Sequence, residues 1–231
     1  AITLQLEESV TARYVEFRLV DSKMWKRWIF VSEVEAYGIS TSTAIPYPEV
    51  DELKFLFVGN SATYYFHNPV KFMLIAESAG INVDITYCTI GSSYMANFAD
   101  ATHSRCGAPL REKLAEKQYD YIVIHDNSNA DYDKSQPAME TLMPLFEANG
   151  AEVMLYKRYS SNTSASLREA SAYKHHLNYT KLASNFGIDK VAPVADAFLI
   201  STDKYPSINL HHTDNSHHND TSSYLIALVW A

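Results

Sequence analysis

The sequence predicts a doubly wound α/β domain in which a five-stranded parallel sheet lies between helices. Three observations predict this fold class: short apolar runs alternate with helical patterns from residue 53 onward, a helix follows nearly every run, and several helical patterns stop at a glycine. Parallel neighbours need crossover connections, which helices supply. All strand-to-helix loops of such a sheet emerge at one edge, where ligands bind.

The predicted strands are short apolar runs bounded by polar residues, and they cover residues 53–58, 81–87, 121–124, 152–156 and 188–194. The first predicted helix begins at Asn68-Pro69, because proline suits a first helical turn, and it ends at Gly80. The remaining helices are predicted over residues 110–117, 136–149, 166–186 and 221–230, with glycines closing the second and third of these.

The first 38 residues have a different period from the rest. Apolar and polar residues alternate there, which is the period of half-buried strands. The stretch "ARYVEFRLVDSKMWKRWIFVSEVEAYG" resembles the closing strands of a discoidin-like (F5/8 type C) β-sandwich. We therefore expect a β-strand segment over residues 1–38, a linker rich in Ser, Thr and Pro over residues 39–52, and the α/β domain over residues 53–231.

The composition limits the class of partner. The chain has 231 residues, 47% of them hydrophobic, and a net charge of -8, so it can bury one sizeable core. The acidic balance argues against a nucleic-acid partner, because that affinity comes mainly from Lys and Arg. No apolar run reaches the ~18 residues of a membrane span, so we expect no membrane partner. We also expect a processed chain that is secreted or periplasmic. The oligomeric state stays open.

Polar residues follow the predicted strands at the edge where ligands bind. Ser61 follows the first strand, Gly91 lies after the second, Asn127 follows the third, and Asp214 and His217 share the loop before the last helix. Acyl transfer requires a hydroxyl nucleophile, an imidazole base, a carboxylate that orients the imidazole, and donors for the oxyanion. Ser61, His217 and Asp214 can supply the first three, and the amides of Ser61 and Gly91 with the Asn127 side chain can supply the donors.

Five stretches carry a resemblance to the SGNH (GDSL-type) hydrolases: "FLFVGNSATYY", "TIGSSY", "YDYIVIHDNSN", "VAPVADAF" as the strand that leads into the last loop, and "DNSHHNDTSSYLIALVW". The resemblance covers residues 53–231 and implies a flavodoxin-like sheet, with Ser61 as the nucleophile and Asp214 and His217 completing a triad. It also implies a serine esterase that hydrolyses a small acyl ester, with an acetyl group on a carbohydrate as the expected substrate, and no metal or organic cofactor.

Several positions depart from the family pattern. The proline expected after the catalytic histidine is His218 here, and glycines expected in the same turn are Asn215 and Ser222 or Ser223. These departures leave the three triad positions in place, but they concern the geometry of the turn that holds His217.

Each site residue also has a structural interpretation. Ser61 could only cap the helix that follows it, Gly91 could be a turn glycine, and Asn127 could form a turn or a buried hydrogen bond. The aromatic residues 64–66 could pack in the core or line a substrate cleft, and we expect at least one of them in the core. Cys88 and Cys106 could form a disulfide or remain buried thiols.

Two other function classes stay open. The histidine-rich loop offers ligand types for a divalent metal at His211, Asp214, His217 and His218, which would make the protein a metal-dependent hydrolase. Alternatively, the altered turn after His217 could have removed catalysis and left a non-catalytic carbohydrate-binding protein on the same fold. Ester turnover separates the second class from an esterase, and a chelator separates the first.

Overall fold

The computed structural model describes residues 52–162 and 164–231. The predicted strand segment at residues 1–38 and residues 39–51 of the predicted linker lie outside the described residues, so these two assignments stay predictions. None of the helices in the described ranges has the length and apolar character that a membrane crossing requires.

Five strands form one parallel sheet in the order β2-β1-β3-β4-β5. The strands are β1 (Glu52–Gly59), β2 (Asn82–Thr89), β3 (Tyr121–Ile124), β4 (Glu152–Tyr156) and β5 (Lys190–Ala192). The predicted fold class is confirmed. The strand order reverses between β1 and β3, and ligands of open α/β sheets bind at the carboxyl edge beside such a reversal.

Eight α-helices and one short 3-10 turn connect and cover the strands in the described ranges. The helices are α1 (Ser61–Tyr64), α2 (Asn68–Ser78), α3 (Met95–Ala99), α4 (Gly107–Glu116), α5 (Tyr132–Asn149), α6 (Ala165–Phe186), α7 (Val194–Lys204) and α8 (Asp220–Trp230), and the 3-10 turn is Tyr65–His67. The predicted helices at residues 68–80, 110–117, 136–149, 166–186 and 221–230 all exist, with ends that differ by a few residues.

The sheet is buried on both faces. Successive side chains of β1 alternate, so Phe55 and Phe57 enter one core cluster while Leu56 and Val58 enter the other. The first cluster includes Trp230 of α8, whose ring centroid lies 5.0 Å from that of Phe57. Because both faces are covered, β1 is a nearly continuous apolar run, and burying each of these large side chains contributes about 1.5–3 kcal/mol.

The predicted fifth strand at residues 188–194 is wrong in its extent. The strand covers only Lys190–Ala192, Pro193 occupies the N-cap position, and the unpredicted helix α7 begins at Val194. Val194, Ala195 and Phe198 are the buried residues of α7, and they share one face of the helix. The apolar run therefore continues from strand to helix without a polar break, and its composition hides the change of period.

Candidate active site

Ser61 lies at the carboxyl edge of the sheet, as the first residue of α1 directly after β1 and Asn60. The helix cap is Asn60, whose side-chain oxygen accepts a hydrogen bond from the amide of Ala62 at 3.1 Å. The Ser61 hydroxyl is therefore not used for capping. Its backbone N–H points out of the first helical turn and has no hydrogen-bond partner in the described part of the chain.

The turn before Ser61 requires a glycine because the ring of His125 lies against it. A Cβ at Gly59 would stand 2.5 Å from His125 Nε2 and 2.8 Å from Thr63 Oγ1. His125 Nδ1 donates to the Asp126 carbonyl at 2.8 Å, so Nε2 is the acceptor for the Thr63 hydroxyl at 2.8 Å and the Asn60 amide at 3.4 Å. Burial lowers the pKa of His125 to about 3, which keeps this ring neutral.

The structure brings Ser61, His217 and Asp214 together in one hydrogen-bonded chain. His217 Nε2 lies 2.8 Å from Ser61 Oγ, and His217 Nδ1 lies 2.7 Å from Asp214 Oδ2. A carboxylate can only accept, so Nδ1 carries the proton of the neutral ring and Nε2 accepts from the Ser61 hydroxyl. In this tautomer Nε2 carries no proton and its lone pair is directed at the Ser61 hydroxyl.

Asp214 is fixed by its own loop. Its Oδ1 accepts the amides of Ser216 and His217, each at 2.9 Å. Desolvation by burial opposes the charged form, but the hydrogen bonds from the His217 amide and ring and from the Ser216 amide prevail and hold the pKa of Asp214 well below its usual range. The carboxylate is therefore charged throughout the range in which a histidine base operates.

The altered turn around His217 is held by contacts of the residues that replace the expected glycine and proline. Asn215 has φ 57°, a left-handed conformation that Asn tolerates better than most residues, which explains how it replaces a glycine. His218 is buried; its N–H donates to Tyr159 Oη at 2.9 Å, and its Nε2 donates to the Tyr65 carbonyl at 2.7 Å. A proline at this position would lack both donors.

The aromatic residues after Ser61 lie at the site and are half-buried. The Tyr65 ring packs on the His217 ring with a centroid distance of 4.6 Å and an interplanar angle of 31°. Phe66 and His67 both have positive φ, 52° and 60°, so the chain turns sharply directly after Tyr65. Tyr65 therefore covers the imidazole of the site, and all three rings are half-buried rather than fully enclosed in the core.

The turn that contains Gly91 is tied to the turn that contains Ser61. The Ser93 hydroxyl donates to the Gly59 carbonyl at 3.1 Å, and Asn60 Nδ2 donates to the Ser93 carbonyl at 3.0 Å. The Gly91 amide has no hydrogen-bond partner in the described ranges. The amides of Ser61 and Gly91 are therefore two free donors on adjacent turns at the same edge.

Asn127 joins the same pair of turns from the end of β3. Its Nδ2 donates to the Ser92 carbonyl at 3.2 Å, and its Oδ1 accepts the Asn129 amide at 3.1 Å, so the side chain keeps one amide hydrogen for another acceptor. Asp126 Oδ1 accepts the amides of Asn127 and of Met95, which links β3 to the start of α3. Both the turn interpretation and the donor interpretation of Asn127 therefore agree with its contacts.

The residues proposed for a metal do not converge. His211 Nε2 donates to the Ser160 carbonyl at 2.8 Å, and both ring nitrogens of His218 are in hydrogen bonds, with Tyr159 and with the Tyr65 carbonyl. Over residues 52–162 and 164–231, no group of three or more His, Cys, Asp or Glu side chains is placed to hold a metal ion. Within that set of four residues, only the side chains of Asp214 and His217 bond to each other.

The two cysteines are separate thiols. Cys88 and Cys106 are both buried and unbonded, so the disulfide alternative is not realised in this structure. Burial raises the pKa of Cys88 to about 12, which keeps this thiol protonated and unreactive.

Sequence reasoning missed the residues that hold the site without facing it. His125 and Tyr159 are the main examples, since each supports a turn of the site through buried hydrogen bonds. The stretch "IHDNSN" directly after a buried strand was a signal for His125, because a polar residue in such a position needs partners. Tyr159 gave no such signal.

The fold matches solved structures, although the sequence matches no family model and no curated protein. A candidate SGNH hydrolase from Slackia heliotrinireducens has a TM-score of 0.64 at 22% identity, over 78% of this chain and 97% of that chain. A DUF4886 family protein from Bacteroides uniformis has a TM-score of 0.66 at 18% identity, over 78% of this chain and 82% of that chain. Axe2, an acetyl xylan esterase from Geobacillus stearothermophilus, has a TM-score of 0.54 at 14% identity, over 77% and 92%. The domain has the fold of the SGNH hydrolases.

Proposed function

We propose that this protein is a serine esterase that hydrolyses small acyl esters with a Ser-His-Asp triad. The observation that carries the proposal is the hydrogen-bonded chain from Ser61 Oγ through His217 to Asp214. Nucleophilic acyl transfer needs a hydroxyl in contact with an imidazole whose other nitrogen is held by a carboxylate. These three residues lie beside the strand-order reversal, and the fold is shared with known esterases. Both observations support the same reaction class.

Acylation begins when His217 Nε2 takes the proton of Ser61 while Oγ bonds to the ester carbonyl carbon. The tetrahedral intermediate then breaks its bond to the alcohol oxygen, which takes the proton from His217 and leaves. A water molecule, deprotonated by the same nitrogen, attacks the acyl-enzyme, and the acid departs as Ser61 regains its proton. Asp214 stays charged throughout and stabilises the imidazolium. This scheme uses no metal or organic cofactor.

The oxyanion of the intermediate is held by three donors in our proposal: the amides of Ser61 and Gly91 and the side chain of Asn127. The two amides are free of other partners in the described ranges, and Asn127 is fixed to the turn that carries Gly91. Ser61 N–H also lies at a helix N-terminus, where negative charge is favoured. Such donors are worth about 10²–10³ in kcat each.

We propose an acetyl ester on a carbohydrate as the substrate class. The half-buried Tyr64 and Tyr65 offer aromatic faces next to the serine, and such faces stack on sugar rings. Axe2, which shares the fold, is an acetyl xylan esterase. The measurement that tests this class is the ratio of kcat/KM for acetylated xylan to kcat/KM for p-nitrophenyl octanoate, which should strongly favour the acetylated sugar.

Covalent labelling tests the reaction itself. A fluorophosphonate probe should form an adduct that peptide mapping assigns to Ser61, and the protein should turn over p-nitrophenyl acetate. Ser61→Ala should lose the adduct and lower kcat by about 10³-fold or more. Ser78→Ala is the matched control, because Ser78 is an exposed serine of α2 whose hydroxyl bonds only within its own helix.

Three results would contradict the proposal in different ways. An adduct at another serine would reject Ser61 as the nucleophile. Binding of sugars without turnover would favour the carbohydrate-binding protein. Activity that a chelator abolishes, and that a divalent metal restores, would favour the metal-dependent hydrolase.

A further inference from the structure

A second imidazole faces the acid of the site. His212 Nδ1 lies 3.5 Å from Asp214 Oδ2, the same oxygen that bonds to His217 Nδ1 at 2.7 Å. This nitrogen is buried and has no hydrogen-bond partner in the described part of the chain. A buried ring nitrogen this close to a carboxylate oxygen is an unpaired polar group, and buried polar groups are normally paired.

The loop fixes His212 in this position. Its amide donates to the His217 carbonyl at 2.8 Å, and its own carbonyl accepts the Asn215 amide at 2.9 Å. Its ring lies 5.8 Å from the ring of Tyr65 and 5.8 Å from the ring of Phe66, which pack on it from the turn after α1. The ring therefore cannot easily turn away from Asp214.

Resting on the esterase function proposed above, we propose that His212 is a positioning residue whose Nδ1–H holds the Asp214 carboxylate in the orientation that serves His217. The long contact tightens when charge develops on His217, since hydrogen bonds in an unliganded site are often longer than in the reacting complex. The donor also takes a share of the carboxylate charge and so limits how strongly Asp214 favours protonated His217.

Few other groups affect this pair. The rings of Tyr65 and Phe66 each lie 5.8 Å from the His212 ring, and the neighbouring His218 is neutral because burial lowers its pKa to about 3. More distant cations act on the neighbouring histidines His211 and His218, and they are Lys71, Arg158 and Arg168. All of these are unchanged in the variants below, so differences between variants report on His212.

Two substitutions separate the N–H from the bulk of the ring. His212→Leu keeps an apolar side chain against Tyr65 and Phe66 but removes the donor, whereas His212→Asn places an amide N–H where Nδ1 was. We expect His212→Leu to lower kcat for p-nitrophenyl acetate by about threefold to tenfold, the size of one hydrogen bond. We also expect its acid limb of kcat/KM to move to higher pH, because the full carboxylate charge then favours protonated His217. His212→Asn should restore both.

A readout that needs no turnover keeps this inference separate from the esterase proposal. In the Ser61→Ala background, the proton on His217 Nδ1 should give a downfield NMR signal, and His212→Leu should broaden it through faster exchange with water while His212→Asn should not. His176→Leu, an exposed histidine of α6, is the control for loss of an imidazole. Urea unfolding shows whether each variant is folded.

The outcomes are distinct. If Ser61 carries no adduct but the NMR signal still depends on His212, the positioning role stands and the esterase fails. If His212→Leu leaves the pH profile, kcat and the signal of a folded protein unchanged, the inference is overturned. It is equally overturned if His212→Asn behaves as His212→Leu does.

Discussion

Tyr159 Oη makes two hydrogen bonds to His218, one from the His218 amide and one to the His218 Nδ1, each 2.9 Å long. The same hydroxyl therefore accepts from the backbone and donates to the ring of the residue that follows His217. Tyr159 is fully buried and its ring stacks on Phe198 of α7 at 4.6 Å, so it fixes the turn from the interior of the domain. In this chain these two hydrogen bonds hold the turn at the position where the family pattern has a proline.

Tyr159→Phe should destabilise the domain and weaken the site together. Removing the hydroxyl leaves two groups of His218 buried without partners, which should lower the free energy of unfolding by about 1–3 kcal/mol. Because His217 directly precedes His218, kcat should fall as well. Urea unfolding and ester turnover measure both effects. Tyr224→Phe, at a tyrosine of α8 that is 54% exposed, should change neither; equal behaviour of the two variants would show that the Tyr159 hydroxyl is dispensable.

Asp214→Asn should remove most activity without unfolding the protein. Asn keeps the oxygen that accepts the Ser216 and His217 amides but can place an N–H against His217 Nδ1. That contact favours the tautomer with the proton on Nε2, which cannot accept from Ser61. We expect kcat to fall by about 10³–10⁴-fold, with an unfolding midpoint near that of the parent protein. A fall of less than tenfold in kcat would mean that Asp214 does not set the tautomer.

Gly59→Ala should lower both the stability and the turnover of the protein. The added methyl would stand 2.5 Å from His125 Nε2, and both groups belong to the buried support of the Ser61 turn. We expect a loss of about 1–3 kcal/mol in the free energy of unfolding from overpacking, with lower turnover. Gly80→Ala is the comparison, because its φ of 81° is strained for alanine but nothing lies within 4 Å of the new Cβ. Its cost should be about 1–2 kcal/mol, with turnover unchanged.

The meeting of Ser61 and His217 follows only in part from topology. Ser61 directly follows β1, so the rule for parallel strands places it at the carboxyl edge, whereas the loop of Asp214 and His217 lies between α7 and α8. The 2.8 Å contact joins positions 156 residues apart, and the resemblance of both stretches to the SGNH hydrolases is what predicted it. The contact between Asp214 and His217 is easier to predict, because the two residues are only three positions apart in one short loop.

The supports of the site could not be predicted in the same way. The sequence leaves the geometry of the turn at His218 open, because it does not show that a tyrosine hydroxyl 59 positions away accepts a hydrogen bond from the His218 amide. The end of β5 and the whole of α7 were not predicted, because Pro193 allows either a strand end or a helix start, and Phe198 of α7 packs on Tyr159 only in the folded chain. Such features depend on partners that only the folded chain supplies.

Acid should unfold this protein because three buried histidines are held neutral. Burial lowers the pKa of His125, His175 and His218 to about 3 each, whereas in the unfolded chain histidine titrates near 6.5. Between these values the unfolded state binds more protons, so the stabilisation is present above pH ~6.5 and is lost as the pH falls toward ~3. His211, whose pKa burial also lowers, adds to this trend, and Asp126, whose pKa burial raises, opposes it.

The slope should approach about 4 kcal/mol per pH unit below about pH 6, from three groups at about 1.4 kcal/mol each, and should be smaller near pH 6.5, where the histidines of the unfolded chain are only partly protonated. A domain of ordinary stability should then unfold between about pH 4 and pH 5, and urea unfolding from pH 7 down to pH 5 measures the slope directly. His175→Gln removes one of the three groups, so the slope should fall by about one third. This ring is a suitable target because its Nε2 has no hydrogen-bond partner in the described ranges. His67→Asn, at an exposed histidine with φ 60° that Asn accommodates, should leave the slope unchanged. A parent protein whose stability is flat across this range would mean that these rings are not held neutral in the fold.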